Sequence, residues 1–183
     1  YDGDENPLTI DAVTSDMSIV ATYVLSYDGN NDGIPDALQG HVKNVTTETD
    51  QTVTLVFSET VQVIRYGSVT NPSADDTPEG VDFPFGFFNF SIDNVGIGEA
   101  TTVNLFLPEG TDIDTYYKYG STIENTLPHW YEFLYDGTTG AEINGSVITL
   151  HFVDGERGDD DLIENGVVVD DGGPGVLLPT LPE

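Results

Sequence analysis

The sequence predicts an all-β protein, and within that class an antiparallel β-sandwich, Ig-like or jelly-roll-like. Three observations indicate this fold class. Apolar and polar residues alternate with a period of two in several short segments. Turns rich in Gly, Pro, Asn and Asp separate these segments at regular intervals, which is typical of sandwiches and barrels. No segment shows the 3.6-residue apolar period of an amphipathic helix.

Seven segments rich in β-forming residues are predicted strands. They cover residues 18–25, 52–57, 61–66, 85–92, 102–107, 130–135 and 147–152. The turns between them include Asn71-Pro72, Pro108-Glu109-Gly110 and Asp136-Gly137. Residues 36–39 are the best candidate for a single helical turn.

The chain of 183 residues fits one domain that is long enough to bury a core. No internal repeat divides it, so we expect a single β-sandwich domain over residues 1–183. Its ends differ in composition, because they are polar or rich in Gly and Pro. We therefore expect extended segments at about 1–13 and about 170–183. The abrupt start at Tyr1 suggests a processed or trimmed chain.

The charge of the chain is strongly unbalanced. Asp and Glu number 33 against four Lys and Arg, which gives a formal net charge of −29. A folded protein with this imbalance repels itself unless cations neutralise it. Hard divalent cations such as Ca²⁺ prefer carboxylate oxygens, and the acidic residues cluster in loops. The composition therefore favours Ca²⁺ as a cofactor, with adaptation to high salt as the alternative.

Several functional classes are disfavoured by composition. A chain without a basic patch is not expected to bind nucleic acid. No apolar run is long enough to span a bilayer, so no membrane insertion is expected. The sequence has no cysteine, and His41, His129 and His151 lack metal-ligand spacing. No nucleophile elbow, phosphate loop or dinucleotide-binding turn is present, so we do not expect an enzyme.

Residues 28–39 have the spacing of a calcium-binding loop. Gly33 stands at position 6, where a sharp turn is needed, and the carbonyl of Ile34 at position 7. In place of the bidentate Glu of an EF-hand, Gln39 stands at position 12, which predicts weaker affinity. The alternative is an Asx/Gly-rich surface turn between strands. The predicted ligands are Asp28, Asn30, Asp32, Ile34, Asp36 and Gln39.

A second acidic cluster at residues 154–161 directly follows a predicted strand. Asp154, Asp159 and Asp161 are its candidate calcium ligands. The alternative is a solvated acidic loop in which Arg157 is a partial counter-charge. A third group at residues 75–79 is expected to be a plain exposed loop. The predicted sandwich thus carries long acidic calcium-binding loops.

Several stretches of the chain form a recognisable pattern. They include Asp32-Gly33-Ile34-Pro35-Asp36, Phe83-Pro84-Phe85-Gly86, Tyr117-Lys118-Tyr119-Gly120, Tyr135-Asp136-Gly137-Thr138-Thr139-Gly140 and Arg157-Gly158-Asp159-Asp160-Asp161-Leu162. Together they resemble the choice-of-anchor U domain family of prokaryotic surface proteins. This resemblance implies a secreted domain at the cell surface, without an activity that could be transferred. Residues 178–183 also resemble the opening of a cell-surface sorting signal.

Acidity, the missing cysteine and the resemblance together predict a calcium-stabilised extracellular structural protein that forms a homopolymer. An archaeal cannula-type tubule subunit would fit. We expect subunits to join by strand addition, since an exposed sheet edge offers unpaired backbone groups. The N-terminal donor segment would use Leu8, Ile10, Ala12 and Val13, which lie in an alternating stretch.

The alternative prediction is a ligand-binding adhesin module, with surface glycans or a protein as partner. Exposed aromatic side chains would favour it, whereas ordinary core and cross-strand packing would explain the same residues without a ligand. The candidate aromatic residues are Tyr116, Tyr117, Tyr119, Trp130, Tyr131 and Tyr135.

Overall fold

The structure is a computed structural model that describes residues 27–179, and these residues form an antiparallel β-sandwich. The predicted fold class is therefore confirmed. Neither of the two helical turns in this range is long or apolar enough to cross a membrane. Predictions for residues 1–26 lie outside the described residues. They include the strand at 18–25 and the proposed donor residues Leu8, Ile10, Ala12 and Val13.

Eleven strands and two 3₁₀ turns make up residues 27–179. The 3₁₀ turns are Asp36–Leu38 and Ala74–Asp76. The strands are β1 Val42–Thr46, β2 Thr52–Phe57, β3 Gln62–Val69, β4 Val81–Asp82, β5 Phe87–Asp93, β6 Ala100–Phe106, β7 Thr115–Gly120, β8 His129–Glu132, β9 Gly140–Asn144, β10 Val147–Val153 and β11 Val168–Leu177.

The strands form two sheets. The first has the order β1-β2-β6-β10-β9, and the second has the order β3-β5-β11-β7-β8, with β4 paired to the end of β11. All strand pairs are antiparallel. The last strand in the sequence, β11, therefore lies at the centre of the second sheet, between β5 and β7.

Apolar side chains from both sheets meet in one core. The Phe90 ring of β5 lies 5.5 Å from the Phe57 ring of β2 and 5.8 Å from the Phe152 ring of β10, both edge-on. Strict alternation buries every second residue of β10, as the period-two pattern predicts. Such aromatic contacts across the layers fix the spacing of the two sheets.

The predicted strands within the described range all correspond to observed strands. The segments at 52–57 and 147–152 match β2 and β10 almost residue for residue, and the helical turn predicted at 36–39 is observed as Asp36–Leu38. Five strands were not predicted. They are β1, β4, β7, β9 and β11.

The expected extended segment at about 170–183 overlaps the central strand Val168–Leu177, so its residues up to 177 are paired within the second sheet. Pro174 has no backbone N–H to donate, but no hydrogen bond to β7 is lost at this position. The paired residue Tyr116 turns its backbone carbonyl away, to the N–H of Phe133 at 2.7 Å. On the other side, pairing with β5 ends at Gly172 and pairing with β4 begins at Val176, so Pro174 lies in the gap.

Two glycines in β11 are required because a larger residue would clash with neighbouring strands. A Cβ on Gly173 would lie 2.5 Å from the carbonyl oxygen of Gly86 and 2.9 Å from the Phe87 ring. A Cβ on Gly175 would lie 2.6 Å from Val81. The Gly-rich composition that suggested a loose tail is instead required by close packing in a sheet centre.

Candidate functional site

The loop at residues 28–39 leads into β1 and is fixed at its end by Asp36. This side chain is only 3% exposed. Its two carboxylate oxygens accept hydrogen bonds from the backbone N–H of Gly29, at 3.2 and 3.1 Å, and one of them also accepts from the Thr54 hydroxyl of β2, at 3.4 Å. Asp36 therefore joins the two ends of the loop and attaches them to the first sheet.

The carboxylates of Asp28 and Asp32 are turned into the loop. Asp28 accepts from the backbone N–H groups of Asp32 and Gly33, at 3.2 and 2.9 Å. Asp32 accepts from the N–H of Ile34 at 2.8 Å, and this bond is the main reason that the pKa of Asp32 is lowered. Gly33 has a φ of 87°, as the sharp turn at position 6 requires. Both carboxylates are therefore held inward by backbone donors.

The Gln39 amide closes the loop. Its Nε2 lies 3.2 Å from the Asp32 carboxylate and 3.1 Å from the carbonyl oxygen of Ile34. The Asn30 amide also bonds Asp32, at 3.0 Å. The Gln39 amide therefore bridges a carboxylate oxygen and a carbonyl oxygen of the loop. Rotation of the Gln39 amide by half a turn would present its oxygen as a further ligand.

Five of the six predicted ligands are thus joined to one another by hydrogen bonds within the loop, and Asp36 instead bonds Gly29 and Thr54 of β2. Within residues 27–179, no three His, Cys, Asp or Glu side chains are arranged to hold a metal on their own. In this loop, two carboxylates would be complemented by neutral oxygens, which Ca²⁺ accepts in flexible sites. The five are Asp28, Asn30, Asp32, Ile34 and Gln39.

In the second acidic cluster, Asp154 acts as a structural acceptor. The residue is fully buried. Its two oxygens accept from the backbone N–H groups of Gly98 at 2.8 Å, Gly166 at 3.0 Å and Asn165 at 3.3 Å. These bonds hold the turn after β10 against two neighbouring loops, which accounts for its burial without a metal.

Asp159 and Asp161 also bond backbone within and around this turn. Asp159 accepts from the N–H groups of Gly155 and Val169, at 2.9 and 3.0 Å. Burial nevertheless raises the pKa of Asp159 to about 6. Exposed Asp161 accepts from the N–H of Ile163, at 2.8 Å. The geometry favours a structural role for all three candidate ligands of this cluster.

Arg157 does not serve as a counter-charge for its own loop. Its guanidinium bonds the Asp136 carboxylate at 3.0 Å and the carbonyl oxygen of Leu134 at 3.1 Å. It also lies over the Phe133 ring, 4.9 Å from the centroid. The third acidic group, Asp75, Asp76 and Glu79, lies on the surface, as expected.

Most of the candidate aromatic residues pack within the protein. Tyr116 is fully buried. Trp130 lies on the outer face of the second sheet, where its ring contacts Phe83, Phe87 and Tyr119 at 6.1, 5.2 and 5.2 Å. Its N–H donates to the Ser73 carbonyl at 3.1 Å. This half-exposed aromatic cluster is the surface most suited to a ligand, although mutual packing explains its geometry.

A buried charge cluster between the sheets was not predicted. Lys118 of β7 and Asp170 of β11 are both fully buried and bonded to each other through Nζ and Oδ1. A second carboxylate, that of Asp160, lies 3.3 Å from the same Nζ. Burial would by itself lower the pKa of Lys118, but the two carboxylates outweigh burial and raise it. Burial raises the pKa of Asp170, and that of Asp160 to about 7.

Several atoms of this cluster lack a hydrogen-bond partner among the described residues. The nearby Tyr116 hydroxyl is one of them, and burial raises the pKa of this tyrosine well above its usual range. A buried polar atom without a partner is costly, so the cluster as it stands is incompletely satisfied. The unpartnered atoms are both carboxylate oxygens of Asp160, Oδ2 of Asp170 and the hydroxyl oxygens of Tyr116 and Tyr131.

Comparison with known proteins adds no relative. No family model, curated protein or solved structure matches this chain.

Proposed function

We propose that this chain is a calcium-binding extracellular structural protein, a building block of a cell-surface filament, tube or layer. The observation that supports it most is the loop at residues 28–39. In this loop the carboxylate of Asp32 and the carbonyl oxygen of Ile34 both accept from the Gln39 amide, and the Asn30 amide also donates to Asp32. One Ca²⁺ would replace the Gln39 amide nitrogen between the oxygens of Asp32 and Ile34.

The charge balance supports a role for cations beyond one loop. Two of the four basic residues, Lys118 and Arg157, already pair with carboxylates of their own subunit. With 33 acidic residues and only four basic ones, most carboxylates have no basic partner to pair with. Copies of a chain with a net charge of −29 repel each other, and bridging Ca²⁺ would let acidic faces approach.

The sheet edges support strand addition between subunits. Within the described residues, β3 is an edge strand of eight residues with exposed Ile64 and Tyr66. Between it and the edge strand β1 runs a groove lined by His41, Lys43 and Val63. An unpaired edge of this length is a template for a strand from another subunit. The N-terminal segment with Leu8, Ile10, Ala12 and Val13 is the proposed donor.

The proposal is tested by deletion of residues 1–13. We expect the full chain to assemble when Ca²⁺ is added, as seen by light scattering and electron microscopy, and the deleted chain to bind Ca²⁺ but remain monomeric. Assembly of the deleted chain would exclude this donor. If the full chain stays monomeric at all calcium and salt concentrations, the structural-polymer proposal fails.

A calcium-stabilised adhesin module is the second candidate function. The observation that favours it is the half-exposed aromatic cluster around Trp130 on the outer face of the second sheet. Aromatic faces of this kind bind sugars and apolar side chains. Binding of the monomeric protein to a glycan array, lost in the Trp130→Ala variant, would favour this function over assembly.

A further inference from the structure

We propose that Lys118 and Asp170 join in an intramolecular isopeptide bond, with Asp160 moving the protons. The inference goes beyond the proposed function and does not depend on it. It rests on three features. The amine of Lys118 contacts the carboxyl group of Asp170, and both side chains are completely buried. A second carboxyl group, that of Asp160, lies beside them.

The strand register brings the two reacting groups together. Lys118 pairs with Gly172, two residues beyond Asp170 on β11. Residues in this diagonal relation lie on the same face of an antiparallel pair, within reach of a long side chain. Both side chains point between the sheets, and Nζ of Lys118 contacts Oδ1 of Asp170. The strands therefore hold the amine against the carboxyl group before any reaction, which lowers the entropic cost of reaction.

Aromatic rings surround the two reacting groups. Nζ of Lys118 lies 5.5 Å from the centroid of the Phe133 ring and 5.6 Å from that of Phe152. An apolar site penalises separate charges, so transfer of one proton from Nζ to the Asp170 carboxylate becomes accessible. This transfer leaves the net charge unchanged. It converts the ammonium into a nucleophilic amine and the carboxylate into an electrophilic carboxylic acid.

Asp160 is placed to move the remaining protons. Its carboxylate lies 3.3 Å from Nζ of Lys118 and has no hydrogen-bond partner among the described residues. The side chain is 15% exposed, so it also borders the route by which water leaves the site. A carboxyl group within reach of the attacking amine and the departing oxygen serves as general base and then general acid.

The reaction balances without an oxidant or a further reactant. The Nζ lone pair attacks Cγ of Asp170, and Asp160 takes a proton from Nζ. Asp160 then gives this proton to the departing oxygen. The Nζ–Cγ bond forms, the bond from Cγ to that oxygen breaks, and one molecule of water leaves. A secondary amide remains, and Asp160 ends in its starting form.

The product relieves the unfavourable features of the cluster. Condensation removes the buried charges of Lys118 and Asp170 and leaves a neutral amide. Its N–H can donate to Asp160, and its carbonyl oxygen can accept from the nearby Tyr116 hydroxyl, so that unpartnered atoms gain partners.

Two glycines make room for the cluster. A Cβ on Gly120 would collide with the Asp160 carboxylate. A Cβ on Gly172 would lie 2.7 Å from the Tyr116 ring and 3.1 Å from Cγ of Lys118. The strands are therefore packed closely around these side chains, which holds them in contact.

Intact-mass spectrometry of the purified, denatured full chain tests the proposal. We expect a mass lower than that of the sequence by one water, and a branched peptide that joins the segments of Lys118 and Asp170 after proteolysis. A folded chain that retains the full sequence mass after prolonged incubation overturns the proposal, and the cluster is then an ion pair.

Variants separate the roles. Lys118→Arg and Asp160→Ala are expected to retain the full sequence mass, and the control Lys43→Arg to lose one water. Asp170→Asn is expected to lose ammonia instead of water, because the amide nitrogen becomes the leaving group. This variant keeps the size of the side chain, so it tests the chemistry even if Lys118→Arg fails to fold. Full condensation in Asp160→Ala, or retention of ammonia in Asp170→Asn, contradicts the mechanism.

Discussion

At the scale of single residues, the carboxylates of the two acidic loops differ in where their hydrogen-bond donors come from. Asp154 and Asp159 are buried and accept from backbone N–H groups on several segments, which is typical of structural carboxylates. Asp28 and Asp32 accept from backbone N–H groups within their own exposed loop. We propose the second arrangement, which lies in one surface loop, as the calcium site.

Calcium binding should depend on Asp28 and Asp32 and not on Asp75. Each of the first two contributes a charged oxygen to the loop, whereas Asp75 is exposed on a separate 3₁₀ turn. We expect Asp28→Ala or Asp32→Ala to weaken binding by about tenfold or more, equal to about 1.4 kcal/mol. Isothermal titration calorimetry with Ca²⁺ measures this. Equal affinity in all three variants would mean that the loop is only a turn.

Asp159 should make stability depend on pH. Its pKa is about 6 in the folded protein, against 3.8 for an unperturbed Asp, so the folded state holds a proton that the unfolded state has lost. Unfolding free energy is therefore expected to fall as pH rises from about 4 to about 6, by on the order of 2 kcal/mol.

Urea unfolding in chelator at a series of pH values measures this dependence. The Asp159→Asn variant should show a flatter slope across the same window, because the titrating group is gone. The slope is the relevant readout, since Asn also loses an acceptor for the N–H groups of Gly155 and Val169. An unchanged slope would assign the dependence to other groups.

At the scale of elements, period-two alternation was sufficient to predict the strands that carry the core, such as β2 and β10. It failed for β7, whose inward face carries Lys118, and for β11, whose Gly and Pro content is typical of a loop. In both strands the reason is tertiary. Asp170 is 52 residues from Lys118, and the neighbours that require glycine in β11 come from other strands. No local pattern records such contacts.

The inward turn of the loop at 28–39 was predictable because its side chains are local in sequence. The spacing of oxygen side chains within residues 28–39 gave the position of the turn, the inward carboxylates and the helical turn at its end. The cluster at 154–161 had a similar composition without a complete spacing. Its carboxylates bond the backbone of Gly98, Gly166 and Val169, which only the fold brings close. Composition alone could therefore not distinguish these structural carboxylates from metal ligands.

Packing in β11 predicts a contrast between two strand glycines. The Gly173→Ala variant places a Cβ against the Gly86 carbonyl and the Phe87 ring, which should destabilise the fold by about 1–3 kcal/mol. A Cβ on Gly67 of the edge strand β3 would meet no atom within 4 Å, so Gly67→Ala is the matched control. Urea denaturation of both variants tests this. Equal stability would mean that β11 is more loosely packed than these contacts imply.

At the scale of the whole molecule, the net negative charge is the main factor expected to limit stability. A net charge of −29 on 183 residues opposes compaction, and the two basic side chains that form buried or partly buried pairs relieve it only locally. Salt and calcium should both stabilise the protein, but by different means. Salt screens all carboxylates, whereas a bound Ca²⁺ acts at one site and only in the folded state, where the loop is assembled.

Calcium should therefore raise the unfolding midpoint beyond the effect of ionic strength. At a free concentration about 100 times the dissociation constant, binding to the folded state alone adds about 2.7 kcal/mol. Thermal unfolding is compared in calcium, in chelator, and in NaCl matched to the ionic strength of the calcium sample. In the Asp28→Ala variant we expect the salt increment to remain and the calcium increment to disappear, because only the second requires the loop. If calcium and matched NaCl raise the midpoint equally, screening accounts for the stabilisation and the loop binds no ion.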